Sequence, residues 1–435
     1  MGGPNCSSNQ GGTRNNNVAA YIRANLGTLV GGGYTASGTN NQEADVDEAD
    51  VVKTDGRRIV TLRNNELVVA DISGGGPRIT GRIQLGDNFG GQQIFLRGDR
   101  VFVMGTEYDD GSSSGGGTKR AISWMQNGNA TIVEVELSAD GPKVAGRTSI
   151  EGSLVDGRMS GGTLRLVLTT PGGSGLGFVY PSNQDPAAEE RATAANREVI
   201  ESSTLDDWVP NVIGADGKNR ALLDCDHLYR PAEPSGFSTL SILTITGGLD
   251  SLTGEGVLAD GQITYASTGH VYVATTRWQG FVPMPSGGSG GVKKEAAADT
   301  GTHTDVHAFA TPAGKPAAYE ASGRIDGSVL NQYSMSESKG ILRVATTTDA
   351  SGEKASQSGI VTLRRDGAAL VEAGRLDGLG VTETIRSVRY VGDTAYVVTF
   401  RQTDPLFAVD LTDDTAPRLL GELKIPGFSE YLHPI

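Results

Sequence analysis

Short alternations of apolar and polar residues dominate the chain and predict β-strands joined by turns. Three segments align with one another: "LVVADISGGGPRITGRI" from Leu67, "IVEVELSADGPKVAGRT" from Ile132 and "LFAVDLTDDTAPRLLGEL" from Leu406. Each holds an alternating strand, a polar turn, a proline followed by a basic residue, two further residues and a glycine. This order predicts two strands around a turn in which proline fixes φ, with a glycine that permits a bend or a close backbone approach.

Weaker copies show that the pattern is a repeat. The same ending occurs at "EASGRI" from Glu320 and "VEAGRL" from Val371, and loosely near Gly256. A second signature, a small-residue turn that feeds a strand, recurs as "TDGRRIVTL", "RGDRVFVMG", "GGTLRLVLT", "STGHVYVAT", "SKGILRVAT" and "VGDTAYVVT". The two signatures alternate, which gives about six units of three or four strands. Gly374 and Gly421 are 47 positions apart, a spacing that suits a four-stranded blade of a β-propeller.

We therefore predict an all-β fold, a β-propeller of four-stranded blades that number about six to seven and stop short at the C-terminus. Residues 1–38 are expected to form a flexible N-terminal tail, and residues 39–435 the propeller. The longest interruption of the repeat, residues 171–236, carries one predicted helix. There an aspartate can cap the helix, a proline occupies a favoured first position and small residues form a stripe: Asp185, Pro186, Ala188, Ala192, Ala195 and Val199.

Composition removes several classes of function. Lys and Arg total 37 against 51 Asp and Glu, a net charge of −14, and no basic block stands out, so binding to nucleic acid is not expected. No apolar run approaches the roughly 18 residues that a membrane helix needs, so no transmembrane segment is predicted. The cysteines are Cys6 and Cys225, and their spacing does not decide between one disulfide and two free thiols.

Four longer stretches carry a resemblance: "TNNQEADVDEADVVKTDG", "GRIDGSVLNQYSMSESKGILRVATTT", "TETIRSVRYVGDTAYVVTFRQTDPLFAVDL" and "LGELKIPGFSEYLHPI". With them the chain resembles, from roughly Thr39 to Ile435, the secreted β-propeller family described as distantly related to WD repeats. The resemblance implies a bacterial protein that is exported or bound to the cell envelope, with its signal segment outside this sequence. Family members continue past "YLHPI" with another blade or more. We therefore expect either a truncated ring or an N-terminal segment that completes the last blade.

The acidic opening "EADVDEADVVKTDG" is the first candidate site. Its spacing fails the helix-loop-helix calcium pattern, because Asp50 stands where that loop needs glycine. "TDG" at 54–56 predicts a hairpin turn, which makes Asp55 a turn residue. Asp47, Glu48 and Asp50 have no counterpart in the other units and are the candidate calcium ligands. A solvated loop, or carboxylates that cap backbone amides, explains the same residues.

Two further patterns are candidates for chemistry. "HTDVH" places His303, Asp305 and His307 on one face of a strand, where they could bind zinc or iron. The Gly/Ala-rich loop before them favours an exposed strand edge instead. A third group is expected on inner strands near the channel, namely Arg386, Arg389, Tyr431 and His433.

Two functions remain open. The sequence shows no complete catalytic motif, which favours a non-catalytic extracellular or envelope propeller that binds a protein, peptide or envelope polymer. Its binding residues would be Asp47, Glu48, Asp50, Arg386, Arg389 and His433. The alternative is a propeller enzyme, such as a hydrolase, a lyase or a metal-dependent oxidoreductase, with its site at the channel.

Overall fold

In the computed structural model the described strands form six successive four-stranded antiparallel units, of which the fourth and fifth are joined by a single bridge into one sheet. The structure describes residues 41–63, 65–108, 128–173, 176–181, 185–213, 219–278, 301–350, 355–400, 404–425 and 431–432. In every unit except the third the four strands are consecutive along the chain, and each pairs with the next. This arrangement is that of a β-propeller, so the predicted fold class is confirmed, and we call the units blades 1 to 6.

The strands are bounded as follows. A short strand β1 (Val46–Glu48) precedes blade 1, which consists of β2 (Val52–Thr54), β3 (Arg58–Arg63), β4 (Glu66–Asp71) and β5 (Arg78–Gln84). Blade 2 consists of β6 (Phe89–Arg97), β7 (Arg100–Glu107), β8 (Asn129–Ser138) and β9 (Gly141–Ile150). Blade 3 begins with β10 (Ser153–Ser160) and β11 (Thr163–Pro171).

Blade 3 is then interrupted by α1 (Pro186–Glu201), β12 (Asn211–Ile213), β13 (Asn219–Ala221) and β14 (Leu228–Tyr229), and it ends with β15 (Ser238–Ile245) and β16 (Thr253–Leu258). Blade 4 consists of β17 (Ile263–Ala266), β18 (His270–Trp278), β19 (Thr302–Ala310) and β20 (Ala318–Asp326). Blade 5 consists of β21 (Met335–Ser338), β22 (Ile341–Thr348), β23 (Gln357–Asp366) and β24 (Ala369–Leu379). Blade 6 consists of β25 (Thr384–Val391), β26 (Thr394–Phe400), β27 (Asp404–Asp410) and β28 (Arg418–Ile425).

The insertion in blade 3 follows its sequence signals. The side chain of Asp185 accepts a hydrogen bond from the Ala187 amide, and Pro186 begins the helix. Ala188 and Ala192 are buried, as the small-residue stripe predicts. The strands β12 and β13 extend blade 2 at its outer edge, and β14 extends blade 3. The predicted helix is thus confirmed, and the insertion covers blade edges that would otherwise be open.

The repeated glycine has a structural cause. In blades 1, 2, 5 and 6 an extra residue interrupts the pairing of the third and fourth strands just before it, and the glycine follows that bulge. A Cβ on Gly81 would lie 2.2 Å from Pro142 in blade 2, and one on Gly374 would lie 2.5 Å from a carbonyl of Asp414 in blade 6. The glycine therefore lets the outer turn of the following blade approach the backbone.

Five apolar clusters join the six blades. Each lies between two consecutive blades, at the junctions 1–2, 2–3, 3–4, 4–5 and 5–6. A cationic or imidazole side chain also reaches across every one of these junctions to the next blade, namely Arg58, Arg97, Arg165, His270 and Arg343. Within the described residues no apolar cluster joins blade 6 to blade 1. Each pair of consecutive blades is thus held together by an apolar cluster and by a polar side chain that crosses the junction.

Candidate functional site

The acidic opening segment lies along the axis of the propeller. Strand β1 pairs with β10, the first strand of blade 3, with Val46 opposite Ser160. Asp50 then forms a bridge with Ile94 on β6, the first strand of blade 2. Val46 is buried in the cluster between blades 3 and 4. One apolar residue thus anchors a polar segment at the point where the first strands of several blades meet.

The three predicted calcium ligands have separate partners. The Asp47 carboxylate lies 2.6 Å from Nζ of Lys53. Glu48 accepts a hydrogen bond from the Gln42 amide at 3.1 Å, and Asp50 accepts one from the Val51 amide at 2.6 Å. In the described part of the chain no group of three or more His, Cys, Asp or Glu side chains is placed to hold a metal. Calcium at this segment stays a prediction.

The turn that follows behaves as its sequence indicates. One carboxylate oxygen of Asp55 accepts the backbone amides of Arg57 and Arg58 at 3.0 and 2.7 Å. The other accepts Nε of Arg58 at 3.0 Å. All of these contacts close the turn between β2 and β3, so the prediction that Asp55 is a turn residue is confirmed.

Arg386 and Arg389 both lie on β25, the first strand of blade 6, but in different surroundings. Arg386 is the extra residue of a bulge and is exposed. Arg389 is half-buried, and its guanidinium carbon lies 5.3 Å from the centre of the Tyr333 ring. Tyr333 in turn contacts the Tyr431 ring edge-on at 6.1 Å. His433 lies outside the described residues.

Residues that the sequence did not single out link these groups. Tyr265 donates a hydrogen bond from Oη to Glu43 at 2.8 Å and accepts one from the Glu337 amide at 2.6 Å. The Gln332 side chain accepts Nη2 of Arg158 at 2.7 Å and donates to Glu48 at 3.4 Å. These contacts join blades 3, 4 and 5 to the opening segment. We call the resulting group the axial cluster; it comprises Glu43, Glu48, Arg158, Tyr265, Gln332, Tyr333 and Arg389.

Electrostatics distinguish two members of the axial cluster. Burial raises the pKa of Glu43, and the hydrogen bond from Tyr265 and the positive charge of Arg389 offset part of that rise. Nη1 of Arg389 is buried and has no hydrogen-bond partner among the described residues. The cation therefore acts on Glu43 through space and retains unused donors, a condition that costs free energy unless a further acceptor is present.

The "HTDVH" residues are buried. His303, Asp305 and His307 lie on β19, the third strand of blade 4, and are 7%, 3% and 1% exposed. The expectation of an exposed strand edge is therefore wrong. Strands β18 and β20 pair with β19 on both sides, so the polar side chains are enclosed by neighbouring strands and by the loop that precedes β15.

Ser235 from that loop contacts both His307 and Asp305. Its Oγ lies 2.8 Å from Nε2 of His307 and 3.0 Å from a carboxylate oxygen of Asp305. Asp305 also lies 2.7 Å from Nε of Arg324 and 3.3 Å from Nε of Arg277. One tautomer satisfies both serine contacts, because Nε2–H of His307 donates to Ser235 and the hydroxyl donates to Asp305.

This arrangement differs from a catalytic triad. In a triad the carboxylate holds Nδ1 of the histidine, whereas here the carboxylate holds the serine, and Nδ1 of His307 finds no hydrogen-bond partner in the described part of the chain. Burial lowers the pKa of His307 to about 4. The adjoining cavity has a volume of about 50 Å³, room for one or two water molecules. The group is best explained as a polar anchor of the loop.

The sequence would not have revealed Ser235, because it lies 70 positions from Asp305. The same is true of Gln332, which lies 284 positions from Glu48. Glu43 could have been identified from the sequence, because it belongs to the acidic opening, which has no counterpart in the other units.

Two archaeal proteins described as uncharacterized are similar to part of the chain. An uncharacterized protein of Methanocaldococcus jannaschii is 47% identical over 115 residues, which cover 26% of this chain and 18% of that protein. An uncharacterized protein of Archaeoglobus fulgidus is 43% identical over 116 residues, which cover 27% and 17%. The matched stretch therefore spans less than a fifth of the length of either relative.

Solved structures give only a faint likeness. A mutant of Synechocystis apocarotenoid oxygenase is 9% identical, with 86% of this chain and 71% of that chain covered and a TM-score of 0.31. The cobalt-substituted form of the same enzyme is 10% identical, with 88% and 71% covered and a TM-score of 0.31. A likeness of this degree carries no argument about the site.

A family model matches the whole propeller. The model described as "Beta propeller domain" matches residues 36–435. The match begins just before the acidic opening and includes all six blades. The chain therefore belongs to the beta propeller domain family.

Proposed function

We propose that this chain is a non-catalytic binding propeller that works outside the cell or at the cell envelope. A propeller offers rigid sheets whose first strands line an axis and whose loops surround it, an arrangement suited to binding. The location is supported by the resemblance of the long repeat-bearing stretches to secreted propellers. Cell fractionation tests it, since recovery of the protein in the cytosol would contradict an exported role.

One observation carries the proposed binding role. Arg389 reaches the axis from blade 6, lies against the Tyr333 ring and forms no ion pair with the described residues, and its Nη1 is buried without a hydrogen-bond partner. Arg324 and Arg343 have carboxylate partners, whereas the buried Arg165 donates to backbone carbonyls of the next blade. An arginine with unused donors beside an aromatic ring favours a planar anionic group.

The partner is therefore a peptide, protein or envelope polymer that presents a carboxylate. Glu43 and Glu48 lie in the same axial cluster, and they would bind hydrogen-bond donors of the partner next to its carboxylate. The acidic surface of the chain as a whole, with a net charge of −14, weakens non-specific attraction of anions. Binding of an acidic group thus depends on Arg389 itself.

Matched variants test this proposal. Arg389→Gln removes the axial cation, and Arg386→Gln removes the same charge from an exposed position on the same strand. Binding of glutamate-containing peptides and of uronic-acid oligosaccharides is measured by calorimetry. We expect Arg389→Gln to weaken binding at least tenfold, which corresponds to a charged hydrogen bond of about 1.5–3 kcal/mol, and Arg386→Gln to leave it unchanged. Equal effects of both substitutions, or no binding by the unaltered protein, would contradict the proposal.

An enzyme is the second candidate, and only the contact of Ser235 with His307 favours it. A serine activated by this histidine would react with a fluorophosphonate probe. We expect no labelling, because Ser235 is 2% exposed and its hydroxyl is held by Asp305. Labelling that Ser235→Ala abolishes would establish the enzymatic role instead.

A further inference from the structure

His270 crosses the junction between blades 4 and 5 with a charge that depends on pH. The other junctions between consecutive blades are crossed by Arg58, Arg97, Arg165 and Arg343. An arginine remains protonated at every physiological pH, whereas the ordinary pKa of histidine is about 6.5. Among these bridges of the described residues, the bridge between blades 4 and 5 is therefore the one that titrates near neutral pH.

Carboxylates face both nitrogens of the His270 ring. Nδ1 lies 2.9 Å from Oε1 of Glu337 on β21, the first strand of blade 5. Nε2 lies 3.3 Å from Oε2 of Glu320 on β20, the last strand of blade 4. A neutral imidazole carries one N–H and can donate to only one of these carboxylates, whereas an imidazolium donates to both. Hydrogen bonding to Glu337 accordingly raises the pKa of His270.

Two further titratable or charged groups surround this contact, namely Tyr272 and Arg365. The Tyr272 ring on β18 lies 5.6 Å from the His270 ring, and burial raises its pKa. Arg365 on β23 forms an ion pair with Glu320 across the same junction. The ordinary pKa is about 4 for glutamate and about 10 or higher for tyrosine and arginine. Loss of the His270 proton is thus the change of charge expected in this group between about pH 6 and pH 9.

Glu337 also connects this junction to the opening segment. Its amide donates to Oη of Tyr265 on β17 at 2.6 Å, and that hydroxyl donates to Glu43 at 2.8 Å. The neighbouring Gln42 reaches blade 5, where its Nε2 donates to the carbonyl of Gln332 at 3.0 Å. The opening segment is thus bound to blade 4 and to blade 5, so a change at their junction acts on it directly.

We propose that His270 is a pH-sensitive latch between blades 4 and 5, which loosens the junction and the opening segment when the imidazole loses its proton. The proposal does not depend on the proposed binding role of the axial cluster. Without the second proton, either Glu320 or Glu337 loses its donor on His270. These side chains are only 20% and 9% exposed, so water replaces the lost contact incompletely. The apolar cluster between the two blades is unaffected, so the junction loosens and does not unfold.

Hydrogen exchange of the full chain, followed by mass spectrometry between about pH 6 and pH 9 and corrected for the intrinsic pH dependence of exchange, measures the latch. We expect amides of residues 42–48 and 335–338 to exchange about tenfold faster at the upper pH after this correction. That factor corresponds to the loss of one charged hydrogen bond. Amides of β7 in blade 2 are the internal reference and should show no such change.

Substitutions at His270 separate its charge from its size. His270→Arg keeps a cation at every pH, as Arg58 and Arg100 do at the start of the second strand in blades 1 and 2, so exchange should stay slow throughout. His270→Gln never carries the charge, so exchange should be fast throughout. His227→Gln is the matched control, because His227 is exposed and pairs with Asp224 inside the insertion, and it should behave as the unaltered chain does.

The proposal is overturned if exchange at residues 335–338 does not change with pH in the unaltered chain. It is also overturned if the pH dependence persists in His270→Gln, which decides the question even where the larger arginine disturbs the junction.

Discussion

Replacing Arg343 by methionine should separate blade 6 from the rest of the propeller. Arg343 lies on β22 in blade 5, is 1% exposed and directs its guanidinium into blade 6. Its Nε lies 2.6 Å from Asp414, and its Nη atoms reach Asp393 at 2.9 Å and the carbonyls of Gly392 and Leu411 at 3.1 and 2.8 Å. Methionine retains the apolar stem and removes every one of these donors.

The expected loss of stability follows from the carboxylate that the substitution leaves unpaired. Asp414 has a side chain only 12% exposed, so the substitution leaves a nearly buried carboxylate without its counter-charge. Breaking a buried pair by removing one partner costs about 3–5 kcal/mol. A second substitution, Asp414→Asn, should recover part of this loss in the double variant, because it removes the uncompensated charge.

Urea unfolding measures the change in the free energy of unfolding, and hydrogen exchange shows where it acts. We expect amides of β25 to β28 to lose protection before those of blades 2 to 4, because blade 6 contacts a single neighbouring blade among the described residues. Arg364→Met is the matched control. Arg364 lies in the same blade and pairs with Asp366 at 3.6 Å, with side chains 51% and 66% exposed, so its loss should cost about 0–1 kcal/mol.

The reasoning fails if Arg343→Met costs less than about 1 kcal/mol or no more than Arg364→Met. It also fails if protection is lost evenly over all blades, since the bridge would then not hold blade 6 in particular. Either result would leave the apolar cluster between blades 5 and 6 as the main source of that junction's stability.

Four other predictions concern the opening segment, two histidines and the inserted helix. Lys53 already neutralises Asp47, so we expect EDTA to leave the thermal midpoint unchanged; a fall of several degrees that calcium reverses, and that Asp47→Asn abolishes, would establish a calcium site. The folded-state pKa of His307, about 4, lies below the ordinary value of about 6.5, so the unfolded chain binds more protons between these values. Stability should fall by about 3 kcal/mol as the pH drops from 6.5 to 4, and His307→Gln should flatten this part of the curve of unfolding free energy against pH. His270 has the opposite sign, because hydrogen bonding to Glu337 raises its pKa, so its contribution is present at low pH and is lost as the pH rises through the raised pKa; His270→Gln should remove that loss. Asp185→Ala removes the cap of α1 and should cost about 1 kcal/mol of local helix stability, seen as faster hydrogen exchange in residues 186–190 than in the rest of the helix.

Those features of the fold that depend on nearby residues were accessible from the sequence. The alternation of apolar residues gave the strands, because side chains on a strand point to opposite faces in turn. The recurring proline, turn and glycine gave the blade, since each depends on backbone conformation within a few residues. The capping aspartate and the proline of α1 act over a single helical turn.

The burial of "HTDVH" shows where such reasoning ends. A strand that alternates polar and apolar residues is expected to face water on one side. Here the polar side of β19 is enclosed by the loop with Ser235, which satisfies its polar groups with hydrogen bonds and ion pairs. Burial of polar residues depends on partners far away in the chain, and the local pattern contains no trace of them.

The sequence by itself determined the strand content, the repeat, the inserted helix and the turn at Asp55. Tertiary structure alone decided that Glu48, Arg158 and Gln332 meet at the axis, that Asp47 is paired with Lys53, and that Arg389 lies on Tyr333 with unused donors. The reason is geometric. The first strands of all blades converge on one axis, so residues hundreds of positions apart become neighbours only after the blades have packed side by side.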